Sequence, residues 1–128
     1  LGFTESALER INKVLLFNPK HAEGLKVRGY AMFLSGEMEH GINLLKEALE
    51  VDIENENRQV SAQLEECERC FSQFSKGQAR VKRGRYQEAV ELFTSAIEGG
   101  QEIPPEAPLY GLLLTERAEA NLLSNQYD

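Results

Sequence analysis

Set against itself at a fixed offset, this 128-residue chain repeats. Gly2, Gly36 and Gly84 each stand five positions before a small residue, namely Ala7, Gly41 and Ala89. Four positions later comes a large apolar residue (Ile11, Leu45, Phe93), and three beyond that a smaller one (Val14, Ala48, Ala96). The first two glycines are 34 residues apart and the next two 48, fourteen more than one period. A period near 34 with this small/large spacing is the mark of a helix–turn–helix repeat. Such arrays offer surfaces that hold partners, not pockets built for chemistry.

Six helices are expected. The first covers about residues 4–17 and stops at Asn18-Pro19, because proline cannot continue the preceding helical geometry. The second covers about residues 21–34 and ends at Ser35-Gly36-Glu37. The third, about residues 38–51, has Ile42, Leu45 and Leu49 spaced by three and four. The polar DIENEN follows, with Asp52 and Asn55 as N-cap candidates. From Glu56 to Lys82 there is no proline, and Gly77 is the only glycine. Val60, Leu64, Cys67, Phe71, Phe74, Gln78 and Val81 form a single stripe along it. Fourteen extra residues make about four turns, so they lengthen a helix without rotating its face. A fifth helix, about residues 86–98, ends at Gly99-Gly100. The proline-rich QEIPPEAP leads into a sixth over about residues 107–123, and SNQYD opens a turn. No stretch alternates as a strand does, so the chain is expected to be all-α.

Net charge is −7, from 14 basic and 21 acidic residues. That balance disfavours nucleic acid or an anionic membrane as the main partner. No apolar run approaches the roughly 18–20 residues of a membrane span. The opening LGFTESALER has neither methionine nor a signal-peptide layout, and reads as a piece of a longer chain. Cys67 and Cys70 have CxxC spacing. A structural zinc needs four ligands, however, and the only histidines, His21 and His40, lie in other repeats. The pair reads as ordinary helix residues of a reducing, cytoplasmic compartment, with no metal or cofactor expected. No nucleophile–base constellation, phosphate loop or zinc motif is present, so no enzymatic activity is expected. The glutamates fall at helical spacings that solvation and local ion pairs explain.

With the helices placed, LKVRGYAMFLSGEMEHGINLLKEALEVD and SKGQARVKRGRYQEAVELFTSAIE resemble tetratricopeptide (TPR) repeats. In the second, Gly77, Gly84, Tyr86, Ala89, Phe93 and Ala96 sit where that family wants them. In the first, Gly41 replaces the usual alanine, Leu45 the aromatic and Ile53 the closing proline. The resemblance implies a right-handed superhelical array of antiparallel helix pairs with one extended helix. Residues 1–19 would be the second half of a repeat, 20–54 a repeat, 55–100 a repeat with an extended first helix, and 106–128 the first half of another. Among such arrays the chain is most similar to those of J-domain (DnaJ-type) co-chaperones, through SKGQARVKRGRYQEAVELFTSAI and LLLTERA, although no His-Pro-Asp occurs.

The resemblance implies a protein–protein interaction scaffold, part of a co-chaperone, with heat-shock chaperones among its partners. Many such repeats clamp a partner's terminal carboxylate with lysine, asparagine and arginine. Here the matching positions read Phe74, Gln78 and Glu116, with Glu23 and Val27 at the two basic positions of the second helix. A standard clamp is therefore not expected. The concave groove would instead be lined by Lys26, Tyr30 and Phe33, by Phe74, Gln78, Val81 and Lys82, and by Thr115 and Glu119. Mixed polar and aromatic groups of this kind suit a peptide. The alternative is a structural subunit that self-associates. Leu8, Ile11, Leu15 and Leu16 at one end, and Leu113, Leu114, Leu122 and Leu123 at the other, would be left uncovered and drive head-to-tail contact.

Overall fold

The computed structural model describes residues 5–51 and 58–127. The helix caps proposed at Asp52 and Asn55, the proline substitute Ile53 and the first repeat glycine, Gly2, lie outside them. The described chain is all-α. Its helices are α1 (Glu5–Phe17), α2 (Ala22–Leu34), α3 (Met38–Val51), α4 (Arg58–Lys82), α5 (Tyr86–Glu98) and α6 (Pro108–Tyr127). Two compact units are present, Leu1–Cys67 and Glu68–Asp128, and the division falls inside α4.

The repeated glycines have a conformational cause. Gly36 (φ 102°) and Gly84 (φ 74°) are both left-handed, a region where a Cβ is penalised. Each closes its helix the same way. The Gly36 and Glu37 amides donate to the Phe33 and Met32 carbonyls. The Gly84 and Arg85 amides donate likewise to Val81 and Arg80. These paired bonds satisfy carbonyls that the helix end would otherwise orphan. At the start of α2 the cap is a histidine: His21 Nδ1 accepts from the Gly24 amide at 3.0 Å. That bond fixes the tautomer with the proton on Nε2.

In the first unit α2 packs on α3 and, less extensively, on α1. Leu25, Phe33, Leu34, Ile42, Leu45 and Ala48 are buried there. Gly41 stands where alanine is usual because the backbones nearly touch. A Cβ on Gly41 would lie 2.5 Å from the Gly29 carbonyl oxygen and 2.6 Å from the Phe33 nitrogen. Leu15 of α1 is buried against Gly24 of α2.

In the second unit α5 packs on α6, and the end of α4 packs on α5 through Phe74, Gly77 and Phe93. The Phe74 and Phe93 rings are 6.1 Å apart and tilted by 50°, within the favourable range for aromatic pairs. Ala89, Phe93, Leu109 and Leu113 are fully buried. The sixth helix runs past the predicted turn at SNQYD. Ser124 is buried and its hydroxyl donates to Gln87 Oε1 at 3.2 Å, while Tyr127 meets Tyr86 at 6.1 Å. These contacts with the start of α5 hold as helix a polar segment whose composition alone suggested a loop.

Helix α4 is continuous through Gly77, as the stripe required. The buried positions are Val60, Leu64, Cys67, Cys70, Phe74 and Gly77. Gln78, assigned to that stripe, is exposed. The four/three alternation drifts, and a straight helix of 3.6 residues per turn brings Cys70 and Gly77 inward instead. The apolar residues expected to be open at the two ends are mostly covered. Leu15 and Leu113 are buried and Leu8, Ile11, Leu114 and Leu123 half-buried, leaving Leu16 and Leu122 exposed.

Candidate protein-interaction surfaces

The residues expected to line a groove divide between the two units. On α2, Lys26 and Tyr30 are one turn apart and both half-buried. Lys26 lies 3.9 Å from Glu23, a loose pair on its own helix. Burial raises the Tyr30 phenol above its ordinary range, and the nearby Cys67 raises it further. Phe33 does not join them as a surface anchor. It is only 3% exposed, drawn into the α2–α3 contact that Gly41 leaves open. Phe74 is likewise no groove residue: it is 7% exposed and spent on packing against Phe93. On the same helix Gln78 and Lys82 are exposed and Val81 half-buried. Thr115 and Glu119 are exposed on α6, one turn apart. The Thr115 hydroxyl donates to the Gly111 carbonyl at 2.8 Å, a local bond that competes with partners for it.

Glu116 lies on the same helix, half-buried. Burial raises its carboxyl above the ordinary glutamate range, and the like charge of Glu119 adds to this. Where a clamp would present an amide, this chain presents a carboxylate already uncomfortable in its charged form. The folded state therefore holds this proton more tightly than the unfolded chain does, and stability from this group grows as pH falls. Glu116→Gln is expected to stabilise slightly, within about 0.5 kcal/mol, at about pH 7. The gain should shrink by about pH 4, where the parent side chain is itself protonating. Thermal melts of both proteins at the two pH values check this.

One polar feature was not evident among the motifs. Residues 76–85 carry Lys76, Arg80, Lys82, Arg83 and Arg85 and no acid. Arg69, Gln73, Lys76, Arg80 and Arg83 recur at four/three spacing, so they share one side of α4. Arg83 keeps this register, since its amide still donates to Ala79 and Arg80. Arg69 reaches across to the Ser95 carbonyl of α5 at 2.9 Å. Glu88 of α5 lies 3.7 Å from Arg80 and 3.6 Å from Arg85. The same periodicity count that found the apolar stripe would have found this one.

A shallow depression of about 900 Å³ is lined by Lys20, Asn43, Lys46, Glu47, Glu50 and Val51. Its charges are of both signs and it is open to solvent. No helix among the described residues is long and apolar enough to cross a membrane.

Comparison with known proteins gives one informative match. Over 86 residues the chain is 33% identical to a DnaJ homolog subfamily C member 7 homolog of Schizosaccharomyces pombe. This chain is similar to part of a DnaJ homolog. The aligned stretch is 66% of this chain but 17% of the relative, so the chain spans a small part of that protein. No family model matches the chain, and no solved structure matches it.

Proposed function

We propose that this chain is a tetratricopeptide-type module that binds protein partners within a larger co-chaperone. The observation that carries this reading is the 86-residue similarity to a DnaJ homolog. The α2–α3 pair, in close backbone approach at Gly29 and Gly41, and the seating of Phe93 of α5 over Gly77 of α4 support it. On this reading residues 20–54 and 55–100 are repeats, the second with its first helix extended. Residues 1–19 and 106–128 are the halves of neighbouring repeats. Binding rests on Lys26 and Tyr30 of one repeat, on Gln78, Val81 and Lys82 of the next, and on Thr115 and Glu119. The module is non-catalytic and needs no cofactor.

The partner class we assign is a heat-shock chaperone, held without a terminal-carboxylate clamp. Phe74 is buried and Glu116 is an acid, so neither can donate to a carboxylate. Calorimetry with a purified chaperone is expected to show binding that Tyr30→Ala or Gln78→Glu weakens by about tenfold, or about 1.4 kcal/mol. Removing the chaperone's last residues should leave the affinity unchanged. No binding at all, or binding that ignores both substitutions, would sink this assignment. A second reading, self-assembly, draws on exposed Val14, Leu16 and Phe17 of α1 and Leu122 of α6. Light scattering that shows mass rising with concentration, together with no chaperone binding, would favour it.

A further inference from the structure

We infer that the outer side of α4 is a second docking surface, one that takes an acidic peptide along Arg69, Gln73, Lys76, Arg80 and Arg83. It lies on a different side of the helix from Gln78 and Lys82, and it does not depend on the groove.

The charge distribution singles it out. Ten residues, 76–85, carry five cations and no acid. Everywhere else the chain has nine cations and 21 acids, so a +5 segment sits on a remainder of −12. A favourable helix dipole explains basic residues in the last turn of α4, but not Lys76, which lies before that turn. Nor does internal pairing use the charges up. Arg69 is committed to Ser95, and Glu88 serves Arg80 and Arg85. Lys76 and Arg83 are exposed and have no ion-pair partner among the described residues.

These groups ask for a particular ligand. Lys76 and Arg83 are about 10 Å apart along the helix axis. An extended peptide matches that span with acidic side chains about three residues apart. A long polyanion would also meet the surrounding negative charge, whereas a short peptide touches only the stripe.

The test uses the whole chain. The probe is an acetylated, amidated peptide of about ten residues, with glutamate at every third position in a glycine–serine background; by length it can cover the stripe. Blocking its ends removes any terminal carboxylate. Fluorescence anisotropy should show binding that weakens with salt. It should fall about tenfold or more in the double variant Lys76→Glu/Arg83→Glu. Both changes are at exposed positions, so helicity and melting should match the parent. Unchanged affinity in that variant overturns the proposal, as does loss caused instead by Gln78→Glu. Tighter binding of a single-stranded RNA of similar length at equal salt would reassign the surface to nucleic acid and overturn it too. If the peptide fails while the chaperone still binds through Tyr30 and Gln78, only this second surface is lost.

Discussion

Phe93→Ala is expected to remove about 3–5 kcal/mol of stability, the usual cost of truncating a buried aromatic ring. The ring is fully buried, and it fills space that the sequence keeps open on purpose. A Cβ at Gly77 would come within 2.5 Å of Phe93 Cε1, so helix α4 gives up a side chain to admit this one. Phe74 flanks the ring, and Ala89 and Ala96, small and buried on the same helix, let neighbours approach. Removing the ring leaves a cavity beside Gly77, which has no side chain to fill it. Urea titration of the variant measures the loss. A change below about 1 kcal/mol would place Phe93 outside the core and undo the repeat register.

The second large effect is expected from the smallest substitution. Gly41→Ala should gain about 1 kcal/mol of helix propensity in α3. It should nevertheless destabilise, because the new methyl would stand 2.5 Å from the Gly29 carbonyl oxygen. That neighbour is backbone and has no rotamer to move to. The helices must separate along the whole α2–α3 contact, and overpacking of this kind costs about 1–3 kcal/mol. A net loss in melting temperature confirms the close approach. An unchanged or raised one would mean that α2 and α3 are not held so tightly.

These two sites also show what was legible in the sequence. Gly36, Gly84, Ala89, Phe93 and Ala96 carried the repeat, because turn geometry and helix contact distance each admit few residue types. Helices α3 and α5 accordingly fall where periodicity places them, and α4 is unbroken as its stripe required. Helical register makes Phe33 and Phe74 groove anchors, yet both are core. Register says which side of a helix a ring leaves from, but not whether a neighbouring glycine has made room for it inside. Gly41 is that glycine for Phe33, and Phe74 is buried against the Phe93 ring that Gly77 admits; each glycine is visible in the sequence only as a small residue. The end of α6 was missed for the opposite reason: Ser124 and Tyr127 look like loop composition until Gln87 and Tyr86 are found opposite them. The cationic side of α4 was legible in principle, since spacing alone reveals it.

Cys67 and Cys70 are one turn apart, both buried, and belong to different compact units. An alkylating reagent reaches a thiol of this kind only when the surrounding structure opens. The chain thus carries two native clocks, one for each half, separated by a single turn of helix. If labelling at both sites proceeds at one rate, the molecule opens as a whole; two rates would mean that α4 can melt on one side of its midpoint while the other side keeps time.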